Sequence, residues 1–308
     1  MTAETTEPHL KKLNYADYLR ALQSGCDWLR INRGRCTQYK KLIREFFEKD
    51  KRSREHILAY NESCEIFDIY KLWEASIKNF PGLERRIKTV FSKGPILCED
   101  ENPSESTNRP RNDAFVYLLA GELIRADVRV VAVDGVVTKG ISCHKDADIT
   151  FDWSGSVIDI QCKRPQTQDA LTERVKEAHR QISRTNRQGQ KGIIAIDCSA
   201  FIRPSEQLLE AASAEEAVRH LTQLLEKALI PEANASPGAA TLGFLGFARA
   251  PVMIREGHSS IVSPRGNPFT YIRSDCVTTW LAIPNPVSPS PNALRFVFDR
   301  LHGAIYAS

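Results

Sequence analysis

An aspartate and a lysine stand at the two ends of one stretch, residues 148–163, whose pattern predicts a pair of β-strands. The segment DITFDW alternates polar and apolar residues, Ser154-Gly155 forms a two-residue turn, and SVIDIQCK alternates again. In such a hairpin Asp148 and Lys163 lie at the same end. A carboxylate that can hold a divalent cation, beside a lysine that can neutralise a phosphate, is suited to phosphodiester hydrolysis.

The alternation also predicts which side chains of the second strand share a face, because successive strand residues point to opposite sides. The face that we expect to meet the core carries apolar residues: Ile158, Ile160 and Cys162. The opposite face carries polar residues: Asp159, Gln161 and Lys163.

At these residues the chain resembles the PD-(D/E)xK nuclease superfamily, whose fold is restriction-endonuclease-like. The motif of that superfamily is an aspartate early on one strand and an acidic residue, any residue and lysine on the next. Here Asp148 matches the first position, and Gln161-Cys162-Lys163 matches the second element. The chain departs from the pattern in two places: Ala147 replaces the proline before the aspartate, and Gln161 replaces the second acid.

The elements around the hairpin follow the order helix, strand, strand, strand, helix, strand, which is the αβββαβ core order of this superfamily. We predict a helix over 113–126 that starts at Asp113 as N-cap, and a strand over VRVVAV followed by a short one near VVT. After the hairpin we predict a helix over 169–187 and a buried strand over 192–199. The fold class expected is α/β with a mixed sheet.

The resemblance implies a set of catalytic residues, Asp148, Gln161, Lys163 and Glu122, and a Mg²⁺ or Mn²⁺ cofactor. Asp148 would be the main metal ligand, helped by the Gln161 amide, the main-chain carbonyl of Cys162 and Glu122, which interrupts an apolar helix face. Lys163 would stabilise charge on the phosphoryl group and act on the attacking water. A solvated Glu122 at a helix rim and an ordinary solvated Lys163 remain the alternatives.

Positive charge is concentrated in two segments, although the whole chain carries only +4. Residues 30–54 hold ten basic and three acidic residues, and residues 161–191 hold eight basic and three acidic ones. Such segregation is typical of a surface that binds a phosphate backbone, although two solvated helix faces would explain it too. The residues expected to bind nucleic acid are Arg164, Lys176, Gln181, Lys40, Lys41 and Arg44.

The remaining sequence predicts a helical N-terminal subdomain over residues 1–95 and a nuclease domain with a C-terminal extension over 113–308. Residues 94–112 have the composition of a linker. The extension is expected to add a helix, two strand regions and a final helix, over 214–229, 241–247, 269–283 and 293–305.

Composition limits the class of protein. Of the 308 residues 42% are hydrophobic, which is enough for a large core, and no apolar run is long enough for a membrane helix. The N-terminal sequence has no apolar run typical of a signal peptide, and the eight cysteines show no zinc-binding spacing. We therefore expect a cytoplasmic protein with reduced thiols that does not act at a membrane.

The predicted function is Mg²⁺-dependent endonuclease cleavage of nucleic acid, with DNA favoured over RNA. Two other classes stay open. One is an inactive member of the superfamily that binds nucleic acid without cutting it, which Gln161 would explain. The other is a protein–protein adaptor that uses the helical subdomain as its interface.

Overall fold

The computed structural model describes residues 15–49, 53–97, 100–101, 109–138, 147–185, 191–202, 209–235, 238–262, 268–288 and 292–306. Parts of several sequence predictions fall outside these ranges. They include residues 1–14 of the helical subdomain, 50–52 of the first basic segment, 98–99 and 102–108 of the predicted linker, and 186–190, which belong to the second basic segment and include the end of the helix predicted over 169–187.

The N-terminal part of the chain is helical, as its apolar stripes predicted. It contains α1 (Tyr15–Trp28), α2 (Arg35–Glu48), α3 (Arg54–Trp73), a 3₁₀ turn (Ile77–Asn79) and α4 (Leu83–Ser92). A disulfide joins Cys26 on α1 to Cys36 on α2. The expectation that all the thiols are reduced is therefore wrong for this pair, and the argument from free thiols to the cytoplasm loses its support.

The elements that build and cover the sheet follow in chain order. They are α5 (Arg109–Arg125), β1 (Arg129–Val133), β2 (Val136–Val137), β3 (Ile149–Trp153), β4 (Ser156–Lys163), α6 (Gln168–Thr185), β5 (Lys191–Asp197), β6 (Leu209–Ala211), α7 (Ala214–Ala235), β7 (Thr241–Val262), β8 (Pro268–Pro284) and α8 (Asn292–Tyr306).

The strands form one mixed sheet in the order β2-β1-β3-β4-β5-β7, and the long β7 pairs with both β6 and β8. The pairs β1–β2, β1–β3, β3–β4 and β7–β8 are antiparallel, whereas β4–β5, β5–β7 and β6–β7 are parallel. The parallel step from β4 to β5 passes through α6, as a crossover connection requires. The fold is therefore α/β with a mixed, open sheet.

Helices cover both faces of this sheet. The larger core lies on one face and joins α5 and α8 to the apolar residues of α1–α4, so the N-terminal helices share their core with the sheet. On the other face α6 and α7 pack over β5 and β7 in a second core. Because β4 lies between the two layers, both of its faces are buried over most of its length.

The predicted hairpin is confirmed, with strands at Ile149–Trp153 and Ser156–Lys163. Ser154 and Gly155 both have positive φ, 53° and 80°, which is the conformation of the tight turn that joins twisted strands. Asp113 is not an N-cap, because α5 already begins at Arg109. The predicted strand over 241–247 is only the first part of β7.

Among the described residues no helix is both long and apolar enough to cross a lipid bilayer.

Candidate active site

The open end of the β3–β4 hairpin brings together the two residues that the sequence selected. Asp148 directly precedes β3, and Lys163 is the last residue of β4. The main-chain N–H of Cys162 donates a hydrogen bond of 2.7 Å to Oδ2 of Asp148. This bond fixes the carboxylate at the edge of the sheet, next to the end of β4.

Lys163 is held from the opposite side by α6. Its Nζ lies 3.4 Å from Oε1 of Glu177, and its side chain is only 11% exposed. Arg174, one turn earlier on the helix, contacts the other oxygen of Glu177 at 2.9 Å. Burial alone would raise the pKa of Glu177, but the hydrogen bond from Arg174 and the charge of Lys163 outweigh it and lower that pKa. Glu177 is therefore a carboxylate at the site.

The surroundings of Asp148 disfavour its charged form. Burial raises the pKa of this carboxyl group, the Cys162 N–H and Lys163 act against that rise, and the nearby Asp134 and Glu177 carboxylates add to it. Removal of Asp148 from water disfavours its charged form. A divalent cation would reverse this effect, because it stabilises the ionised carboxylate.

A further aspartate, Asp134, lies beside Asp148 in the turn between β1 and β2. Its main-chain N–H donates a hydrogen bond of 2.7 Å to the carbonyl of Asp148. The hydroxyl of Tyr117 donates to Oδ2 of Asp134 at 3.0 Å, and Arg86 forms an ion pair with the same carboxylate. The turn therefore brings a second, hydrogen-bonded carboxylate close to the backbone of Asp148.

Asp113 on α5 belongs to the same acidic group. Its pKa is raised to about 6, first by burial and then by the charges of Asp134 and Asp148, while Arg109 lowers it. The carboxylates of Asp134 and Asp148 are therefore close enough to act on Asp113 electrostatically.

These residues fit a hard divalent cation that keeps part of its water shell. Mg²⁺ typically takes one or two carboxylates and completes its coordination with water and phosphate oxygens. Asp148 supplies a carboxylate, and the carbonyl of Cys162 points to the same side of β4 as the N–H that meets Asp148. In the described part of the chain no three His, Cys, Asp or Glu side chains form a cluster that could hold a metal, so water and substrate would complete the coordination sphere.

Gln161 lies next to Asp148 in register. The β3–β4 pairing matches Ile149 with Ile160, so its extension by one residue sets Asp148 opposite Gln161. The Gln161 side chain is buried, with 1% exposure, on the face that α6 covers. An amide has no charge to desolvate there, so burial of this position costs less than burial of a carboxylate would. Its role as a ligand stays a prediction.

The contacts of Glu122 are with other charged residues. Glu122 forms an ion pair of 2.6 Å with Arg125, and the other charges that act on it are Asp68 and Arg249. The role of Glu122 as a second metal ligand stays a prediction, and Asp113 is an α5 carboxylate whose pKa the charge of Asp148 raises.

The prediction that Arg164 contacts nucleic acid requires a correction, because Arg164 is not at the surface. Its side chain is 2% exposed, its Nε contacts Oδ2 of Asp197 at 3.0 Å, and its Nη1 forms an ion pair with Glu101. Glu101 in turn contacts Nε of Arg111 at 2.8 Å. A guanidinium that two buried carboxylates hold cannot contact a phosphate, so Arg164 has a structural role at the end of β4.

The other predicted nucleic-acid contacts lie on two helices. On α6 Lys176 is exposed and paired with Glu173 at 2.8 Å, and the buried Oε1 of Gln181 lacks a hydrogen-bond partner within the described ranges. Lys40, Lys41 and Arg44 lie on α2, which packs against α1, α3 and α4. The role of these three residues in binding nucleic acid stays a prediction.

Sequence reasoning did not identify Asp134, Asp113 or Glu177 as site residues. Asp134 was interpreted only as a turn residue and Asp113 only as a helix cap. Glu177 had a usable signal, since a helix that follows a strand ending in Lys163 packs back over that strand. An acid three turns into that helix could therefore have been paired with the lysine.

No family model matches the chain, and neither a curated protein nor a solved structure matches it. The chemistry of the hairpin end therefore has to be inferred from its own residues.

Proposed function

We propose that this chain is a metal-dependent nuclease that hydrolyses phosphodiester bonds in nucleic acid, with DNA as the favoured substrate and Mg²⁺ or Mn²⁺ as the cofactor. One observation supports the proposal most. A half-buried aspartate just before β3 and a lysine at the end of β4 meet at one end of the hairpin, where the Cys162 N–H fixes the first and Glu177 the second. The order of elements and the PD-(D/E)xK-like motif favour a restriction-endonuclease-like core.

Each residue has a distinct part in this proposal. Asp148 and the Cys162 carbonyl would hold the cation, which when bound supplies an activated water and a Lewis acid next to the phosphate. Lys163 would donate to a non-bridging phosphate oxygen and stabilise the charge that develops there. Glu177 would orient Lys163 and accept a hydrogen bond from the attacking water.

A cleavage assay with the purified protein tests the proposed function. Circular and linear double-stranded DNA, single-stranded DNA and RNA would each be incubated with Mg²⁺, Mn²⁺ or EDTA. We expect cleavage that requires a divalent cation and that linearises the circular substrate, as an endonuclease does. Equal cleavage in EDTA, or cleavage by none of the cation-loaded samples, would argue against the proposed function.

A second candidate function is nucleic-acid binding without cleavage, and the buried Gln161 favours it. Where the related motif has a carboxylate, this position offers only a neutral amide oxygen, which is a weaker ligand for Mg²⁺. A bound but uncut substrate in the same samples would support this alternative. A structure soaked in Mn²⁺ would separate the two, because the active enzyme should show a cation beside Asp148.

A further inference from the structure

The outer surface of α6 carries a pocket that the active site does not include. It has a volume of about 350 Å³ and is lined by His179, Arg180, Ser183 and Arg184. It is an open depression rather than an enclosed cavity, so a phosphate group would fit in it while the rest of its ligand stays in solvent.

One wall of this pocket is fixed by packing. Nδ1 of His179 lies 2.8 Å from Oγ1 of Thr241, and its ring meets Phe244 edge to face with the centroids 5.9 Å apart. A Cβ atom on Gly238 would lie 2.5 Å from the same ring nitrogen, so only glycine allows this close approach. The imidazole is thus held in one orientation at the side of the groove.

The positive charge of the pocket is only partly balanced among the described residues, where the charge of Arg180 acts on Glu173. Arg174 and Lys176 on the same helix form ion pairs with Glu177 and Glu173. Within the described part of the chain Arg180 and Arg184 form no such pair, and Nε of Arg180 only approaches a carbonyl of its own helix at 3.4 Å. Like charges four residues apart on a helix repel each other.

Stabilisation of the helix end explains one of these arginines only. A cation in the last turn interacts well with the helix dipole, and Arg184 lies in the last turn of α6. Arg180 lies one turn earlier, where this effect has faded. A bound anion would account for both residues, because it removes their repulsion.

We propose that this pocket binds a backbone phosphate of the nucleic acid that the active site cleaves. Two guanidinium groups and a hydroxyl are donors that suit phosphate oxygens, while the imidazole of His179 forms a wall of the pocket. Arg184 follows Glu177 by seven residues, which corresponds to roughly 10 Å along the helix. One strand could therefore reach both places. The inference rests on the proposed function, since it takes nucleic acid as the ligand.

The test is binding of a fluorescent oligonucleotide in EDTA, so that cleavage plays no part. We expect Arg180→Glu/Arg184→Glu to weaken binding by roughly tenfold or more per lost phosphate contact near 0.1 M salt. The slope of log K against log salt should fall by about one for each arginine. The neutral variant Arg180→Gln/Arg184→Gln should show the same loss of slope. It keeps the test valid if the double-glutamate variant does not fold.

The matched control is Arg219→Glu, which makes the same charge change at an exposed position on α7. It should leave the slope unchanged. Equal losses in the control and in the α6 variants would overturn the pocket, since only net charge would then matter. Inorganic phosphate would also be tested as a competitor. If the α6 variants changed only the competition by phosphate and left oligonucleotide binding unchanged, the proposal would be overturned as well.

The pocket and the cleavage reaction fail in different ways. The wild-type protein could bind nucleic acid through Arg180 and Arg184 and yet not cleave it in Mg²⁺ or Mn²⁺. That result would contradict the proposed hydrolysis and support the pocket. The wild-type protein could instead cleave nucleic acid while the Arg180→Glu/Arg184→Glu variant binds it equally well. That result would contradict the pocket and support the hydrolysis.

Discussion

Nζ of Lys163 at the end of β4 lies 3.4 Å from Oε1 of Glu177 on α6. This contact links the hairpin that carries Asp148 to the helix that packs over it. It also places a carboxylate beside the lysine at the site where Gln161 provides none.

Glu177→Gln tests whether that carboxylate contributes to cleavage. We expect the rate to fall by about 10–100-fold, as is typical when a residue that orients a metal or catalytic group is lost. Fold stability should change little, because the side chain is 35% exposed. Glu173→Gln is the matched control, since it removes the same charge from an exposed ion pair with Lys176. Identical rates for the two variants would rule out a part for Glu177.

Gln161→Glu tests the position that departs from the motif. The change adds a carboxylate at a site with 1% exposure, next to Asp148. Without metal we expect a loss of stability on the order of 1–3 kcal/mol, because a buried charge is then uncompensated. Mn²⁺ should restore this stability, so the metal-induced rise in melting temperature should exceed that of the wild type.

Gln168→Glu is the control for that change, because it adds the same charge at an exposed position where α6 begins. A metal-induced rise in melting temperature that is equal in both variants would mean that no cation binds beside residue 161.

Glu101 is predicted to be a key to stability. Its carboxylate is fully buried and contacts Arg111 and Arg164, the residue that follows Lys163. Loss of one partner from a buried ion pair costs about 3–5 kcal/mol, because the remaining charge stays buried. Glu101→Gln should therefore lower the free energy of urea unfolding by that amount. Glu173→Gln, which breaks an exposed pair, should leave stability almost unchanged, because water screens that pair. Similar losses in the two variants would refute the prediction.

Glu122 should make stability depend on pH. Burial is the main cause that raises its pKa from 4.5 to about 7, and Asp68 adds to the rise while Arg125 opposes it. The folded state then holds this proton more tightly than the unfolded chain, so stability falls as pH rises between about 4.5 and 7. The contribution is at most about 3 kcal/mol.

The measurement is urea unfolding of Glu122→Gln and of the wild type at several pH values. Other groups titrate in both proteins, so the difference between them isolates Glu122. We expect the variant to gain stability relative to the wild type above pH 7, compared with pH 4. Glu226→Gln on an exposed part of α7 should show no such change. A pH-independent difference for Glu122→Gln would contradict the raised pKa.

Local sequence patterns predicted much of the fold because its elements have clear periodicity. The strict alternation around Ser154-Gly155 predicted the hairpin. The apolar stripe of α6, which packs in the core, predicted that helix. The first strand region of the C-terminal extension was found, but the length of β7 was not. Its continuation pairs with β6 and β8, and such long-range pairing leaves no local signal.

The candidate site could be predicted only where its residues are close in sequence. Asp148 and Lys163 belong to one hairpin, so the turn sets their separation. Asp113, Asp134 and Glu177 arrive through packing between elements, which periodicity does not specify. Arg164 shows the opposite error, because its charge suggested a surface contact whereas Glu101 and Asp197 bind it in the interior.

The central claim is that Asp148 and Lys163 carry out metal-dependent cleavage, and the rates of Asp148→Asn and Lys163→Ala test it most directly. Asparagine can still accept the hydrogen bond from the Cys162 N–H, so the hairpin end should keep its structure. The matched controls on the same sheet are Asp152→Asn on β3 and Lys191→Ala at the start of β5. With Mg²⁺ or Mn²⁺ we predict that both site variants lose at least about 10²–10³ in rate, while the two controls cut like the wild type. Cleavage by Asp148→Asn and Lys163→Ala at the wild-type rate would contradict the account.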